Sequence, residues 1–162
     1  MIQNSYSFFT SVLRTRPHAI AVLAGSAAFP EIHGMVRFYG TKYGVLVSAN
    51  VRGLPPAYGA CGGRIFGFHI HEGGACTGDE QDPFAGALTH YSKEKCPHPY
   101  HSGDMPPLFG ADGKAFSVFL TDRFTVNEIV GRTVIVHDMP DDFRTQPSGG
   151  AGTKIACGVI TA

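Results

Sequence analysis

Apolar and polar residues alternate in short runs along most of this chain, and the runs end on glycine, proline or charged clusters. In an extended strand, side chains two apart share a face, so such alternation predicts half-buried β-strands. His18 to Gly25 predicts a first strand, closed by Gly25-Ser26. Gly34 to Tyr39 predicts a second, with Met35, Arg37 and Tyr39 alternating against Val36 and Phe38. Tyr43 to Val51 predicts a third, and Gly40-Thr41-Lys42 is short enough to join these two as a hairpin. Pro55-Pro56 breaks the pattern. Arg64 to Glu72, Ala115 to Leu120, Thr133 to His137 and Lys154 to Ile160 complete the series. Residues 73–108 and 138–153 show little periodicity and read as two long loops. Loops of that length inside a compact domain are usually functional. The expected architecture is all-β: a Greek-key sandwich or flattened barrel of about eight antiparallel strands.

Composition supports this reading. The 162 residues suit one domain, and 21 glycines and 11 prolines supply the turns. Residues 1–16 read as an extension, carrying one short helix, ahead of a domain over 17–162. No basic residue precedes Phe8-Phe9, and Arg14 and Arg16 interrupt before the next apolar run, so no signal peptide is expected. The chain as it stands would be cytoplasmic, or extracellular or in the cell envelope if cut from a longer precursor. Formal net charge is zero, which argues against nucleic acid or an acidic membrane as partner. No run approaches the roughly 20 apolar residues of a membrane helix. The four cysteines, Cys61, Cys76, Cys96 and Cys157, form no Cys-x-x-Cys pair, and their number allows three pairings.

The chemistry is carried by histidine. His69 and His71 stand two apart on a strand, so their imidazoles would share one face and form a clamp for a metal ion. His98, His101 and Asp104 follow at spacings of three; Gly103 permits a tight turn, and Pro97 and Pro99 stiffen the approach. Two or three imidazoles with one carboxylate suit Zn²⁺. His90 lies between the two groups, and a deprotonated imidazole can bind a metal through each nitrogen. His137 ends another apolar run. No Ser-His-Asp or phosphate-loop pattern competes.

The run Gly67-Phe-His-Ile-His-Glu72, the segment 101–104 (His-Ser-Gly-Asp), the segment 131–137 (Gly-Arg-Thr-Val-Ile-Val-His), the pair Asp141-Asp142 and the C-terminal stretch 151–160 occur in the order found in one family. Across residues 18–160 the chain resembles copper–zinc superoxide dismutase. The resemblance implies that His69, His71 and His137 bind copper, that His90 bridges copper and zinc, and that His98, His101 and Asp104 complete the zinc site. It implies that Asp141 hydrogen-bonds a copper histidine and a zinc histidine together, and that Cys76 and Cys157 form a disulfide tying the metal loop to the last strand. A second bridge between Cys61 and Cys96 is an expectation without a counterpart in the family. Superoxide would be the substrate, turned over by Cu(II)/Cu(I) cycling, while zinc orders the loop and sets the basicity of His90. Lys154 stands where the family usually has arginine, and is expected to keep the anion-attracting charge while docking the anion less closely. Homodimer and monomer are both compatible with the resemblance.

Two other readings keep the same residues. A metal carrier or chaperone-docking domain would bind copper or zinc without turnover, although carriers of Cu(I) favour Cys and Met ligands, and none of the cysteines sits beside the histidine pair. A purely structural sandwich would bind no metal.

Overall fold

The computed structural model describes residues 5–56 and 64–162. A short helix, α1 (Ser5–Val12), precedes the first strand, as expected for the extension. Its Phe8 ring meets Tyr43 edge-on, which seats the helix beside a hairpin. Strands β1 (Ala19–Gly25), β2 (His33–Thr41) and β3 (Gly44–Arg52) form an antiparallel meander. After β3 come β4 (Arg64–Phe66) and β5 (Phe68–His71). It continues through β6 (Leu108–Gly110), β7 (Lys114–Thr121), a helical turn α2 (Val126–Ile129), β8 (Thr133–His137) and β9 (Lys154–Thr161). Seven strands make one curled antiparallel sheet in the order β5-β8-β9-β1-β2-β3-β7, and β4 pairs with β6 in a separate ribbon.

The predicted all-β class and the two long loops hold. The alternation that predicted the strands also places the core: Ala21, Leu23, Val36, Phe38, Val47, Ala49, Val51, Phe68, Ile70, Val134, Val136, Ile155 and Ile160 are buried in one cluster. Truncating a ring such as Phe38 would cost about 3–5 kcal/mol.

One strand differs from expectation. Residues 64–72 do not form a single strand; Gly67 divides them between the ribbon and the sheet. A Cβ at Gly67 would stand 2.8 Å from the Ala151 Cβ and 3.2 Å from that of His137. The backbone there pairs instead with the second long loop, donating to the Met139 carbonyl and accepting from the His137 N–H. The chain can therefore turn from ribbon to sheet, and the second loop is drawn against the start of β5. Two elements were not anticipated, β6 and α2. The latter is announced by Thr125-x-x-Glu128, whose carboxylate accepts the Thr125 N–H at 2.8 Å. Among the described residues no helix is long and apolar enough to cross a membrane.

Candidate metal centre

β5 is the edge strand of the sheet, and an edge leaves N–H and C=O groups without a ladder partner. The first long loop supplies them. Ile70 donates to the Gly103 carbonyl and Tyr91 donates to the Ile70 carbonyl, each at 2.9 Å. These bonds set His90 opposite His71 and Asp104 opposite His69. Gly103 is required at this contact, because a Cβ would fall 2.2 Å from the Ile70 carbonyl oxygen. The loop is tied to β9 by a Cys76–Cys157 disulfide. Cys96 carries a free thiol; Cys61, its expected partner, lies outside the described residues.

All the candidate residues converge. His69, His71, His90 and His137 form one group in which the ligand atoms lie within 4.8 Å of one another; His90, His98, His101 and Asp104 form a second. All seven side chains are largely withdrawn from solvent. β5 contributes His69 and His71, the last residue of β8 contributes His137, and the first long loop contributes the other four. Both groups contain His90.

The hydrogen bonds fix which ring nitrogen faces inward. A carbonyl oxygen can only accept, so the His71 Nδ1 donates to Leu88 at 2.9 Å and the His137 Nδ1 donates to Gly152 at 3.3 Å. Their Nε2 lone pairs then face each other, 3.3 Å apart. Two nitrogens held by one metal at about 2.0 Å stand about 3 Å apart, so a cation between them removes the lone-pair conflict. His69 Nε2 donates to Asp141 Oδ2 at 2.7 Å and His98 Nε2 donates to Asp141 Oδ1 at 2.9 Å. The remaining nitrogens, His69 Nδ1 and His98 Nδ1, are buried with no hydrogen-bond partner, as are His90 Nε2 and His101 Nδ1. Burying such atoms unpaired is costly. His98 Nδ1 and His101 Nδ1 approach Asp104 Oδ2 at 3.0 and 3.3 Å without hydrogen-bond geometry, the edge lengths of a tetrahedron about one ion. This donor set fits one ion in each group.

Electrostatics favour the same state. Burial lowers His69 to about 4 from 6.5, against the opposing pull of the Asp141 hydrogen bond. Burial, with the neighbouring His69, lowers His137 to about 3. His71 falls well below 6.5 through burial and the proximity of His90 and His137, and burial also lowers His101. Burial opposes ionisation of Asp104 and Asp141. The histidine hydrogen bonds prevail, and both carboxyls stay below the usual range. Neutral imidazoles and ionised carboxylates are the metal-ligating forms.

A cleft of about 570 Å³ opens onto this centre, lined in part by His71, His90, His137, Asp82 and Lys154. Lys154 is thus where it was expected, but its ammonium is engaged: Nζ donates to Asp82 at 2.7 Å and to the Phe84 carbonyl at 3.1 Å. Two further residues escaped the sequence reading. Gln146 clamps the backbone of His98, its Oε1 accepting the N–H at 3.0 Å and its Nε2 donating to the carbonyl at 2.6 Å. Arg123 Nη1 donates to the carbonyls of Pro99, His101 and Asp104 at 2.9 to 3.4 Å. No local pattern marks either one.

Residues 32–160 match a family model described as copper/zinc superoxide dismutase. The superoxide dismutase [Cu-Zn] 2 of Aquifex aeolicus is 32% identical over 142 residues, covering 80% of this chain and 80% of that protein. The superoxide dismutase [Cu-Zn] of Photobacterium leiognathi is 34% identical over 141 residues, 78% of each chain. Among solved structures, the Cu/Zn superoxide dismutase from Brucella abortus superposes with a TM-score of 0.74 at 26% identity, covering 88% of this chain and 99% of that one.

Proposed function

The chain belongs to the copper/zinc superoxide dismutase family, and from that premise we propose how its own residues divide the work. The activity is the disproportionation of superoxide, in which two superoxide anions and two protons give dioxygen and hydrogen peroxide. His69, His71, His90 and His137 would hold copper, and His90, His98, His101 and Asp104 would hold zinc. The observation that carries this reading is the sharing of His90 by two donor groups, each with buried nitrogens that lack any protein partner.

Bound copper supplies a one-electron couple that takes an electron from one superoxide and returns it to the next, while bound zinc supplies fixed charge without redox change. The protein does the rest. Asp141 holds His69 and His98 in the tautomers that present Nδ1 to the two sites, and so links the two groups mechanically. His90 Nε2 is an imidazole nitrogen free of protein partners in the wall of the cleft, where it can hold a proton and release it to departing peroxide. Lys154 puts a cationic donor into the same cleft, which favours a small anion. A chain with zero formal net charge has no net charge of its own to draw an anion, so local charge has to do this. The carrier alternative is not favoured: both donor groups are built from histidine and aspartate, with no cysteine among them.

Homodimerisation is part of the same proposal. Ile65 and Phe109, paired across the β4–β6 ribbon, both expose apolar side chains, as an interface would use. Sedimentation velocity decides it, with a species of twice the 17.3 kDa chain mass expected. The function itself is tested by loading the purified chain with copper and zinc and measuring superoxide decay. Rapid dismutation that His137→Ala abolishes is the expected result; a fully loaded protein without activity would overturn the assignment.

A further inference from the structure

Lys154 is buried in all but about 15% of its side chain, and the group it meets is a carboxylate. That carboxylate is deliberately placed. The Asp79 side chain accepts the backbone N–H groups of Gln81 and Asp82, both at 2.9 Å, and so shapes the turn. Asp82 Oδ1 then accepts the Phe84 N–H at 3.2 Å, which leaves Oδ2 to take the lysine at 2.7 Å. Phe84, buried against Ala87, Ile135 and Cys157, anchors the far side of the turn. Asp82 and Lys154 both line the cleft that leads to His71, His90 and His137.

We infer that Asp82 is a positioning residue that occupies Lys154 and thereby sets how strongly the cleft draws small anions. The inference rests on the proposed function, since it assumes that anions are drawn toward the histidine-lined end. An isolated ammonium attracts an anion as a point charge. An ammonium 2.7 Å from a carboxylate acts at a distance as a dipole, whose field decays faster. An anion seeking direct contact with Nζ must also compete with Oδ2. Lysine makes this arrangement consequential: Asp82 and Phe84 take two of its three donors and leave one for an anion, whereas an arginine fork with five would keep several to spare. Asp82 is therefore a brake on anion capture, and the loop that carries the disulfide cysteine Cys76 also carries that brake.

Asp82→Asn tests this with little change of shape, because the amide oxygen can still accept the Phe84 N–H. The probe is azide, titrated into the copper- and zinc-loaded protein and followed by copper absorption at low and high ionic strength. Asp82→Asn is expected to tighten azide binding about three- to tenfold at low salt, with the gain shrinking at high salt as exposed charges are screened. The same substitution in a Lys154→Met background should give at least a threefold smaller gain, because the brake works through the lysine. Equal gains in both backgrounds would make Asp82 a mere bulk charge and overturn the inference. So would unchanged or weakened azide binding in Asp82→Asn. If the unsubstituted chain takes up no copper on its histidines, the proposed function falls and this inference with it. Full copper loading with azide binding indifferent to Asp82 sinks the inference alone.

Discussion

Asp141→Asn is the substitution with the sharpest consequence, because one oxygen becomes an NH₂ at nearly constant volume. The carboxylate accepts three hydrogen bonds: Oδ2 from His69, and Oδ1 from His98 and from the Phe143 N–H at 2.7 Å. The amide oxygen can replace only one of the two positions, and it satisfies more donors in that of Oδ1. Its NH₂ then confronts the Nε2–H of His69. Donor faces donor inside a buried site, so the His69 proton must move to Nδ1, the nitrogen presented to the copper group. A charge-assisted hydrogen bond is worth about 1.5–3 kcal/mol, and lost support of this kind typically weakens a metal site about 10–100-fold. The two estimates agree, since about 1.4 kcal/mol is tenfold. Copper affinity should therefore fall about 10–100-fold while zinc affinity falls less than about tenfold. Competition with a chelator of known affinity, run separately for each metal, measures both. Equal losses at the two metals, or unchanged copper affinity, would refute the reasoning. Asp141→Ala, which deprives both histidines of their acceptor, should weaken both metals.

Gln146→Ala should lower zinc affinity several-fold and leave the copper spectrum unchanged, because the amide bonds the His98 backbone and the Arg144 carbonyl but no copper-group histidine; chelator competition and copper absorption check the two halves. Replacing Cys76 and Cys157 by Ser opens a link between residues 81 apart in sequence and should cost about 4 kcal/mol in urea unfolding of the metal-loaded protein. The metal-free protein should lose stability as pH falls from 6.5 toward 4. His69, His71 and His137 have folded pKa values below the ordinary 6.5, so the unfolded chain binds more protons in that window. Each contributes a slope of up to about 1.4 kcal/mol per pH unit. Their contribution is fully present above 6.5, and a melting temperature that stays flat between pH 7 and 5 would contradict the shifts.

The parts of the site that were legible in sequence are those that obey local periodicity. His69 and His71 face one way because strand geometry alternates, and His137 could be placed because it closes an apolar run. Gly103 between His101 and Asp104 marked the turn that brings them together. The break at Gly67 was not legible, because alternation continues on both sides of it and only the approach of Ala151 and His137 forbids a side chain there. The supports of Gln146, Arg123 and Asp82 join segments 19 to 72 residues apart in sequence. No window of sequence contains both partners, and a loop glutamine or arginine looks like any solvated residue until the fold brings its acceptors near. The Thr125–Glu128 cap, by contrast, is a local signal, because both partners lie three residues apart.

The central claim is that one imidazole, His90, belongs to two metal sites at once. Copper electron paramagnetic resonance on protein whose metal content is fixed by elemental analysis tests it most directly, recorded with zinc present and with zinc withheld. One copper and one zinc per chain are expected, with nitrogen-rich coordination of copper and a spectrum that changes when zinc is absent. A copper spectrum identical in the two preparations would mean that the ions share no ligand, and the account of this centre would be wrong.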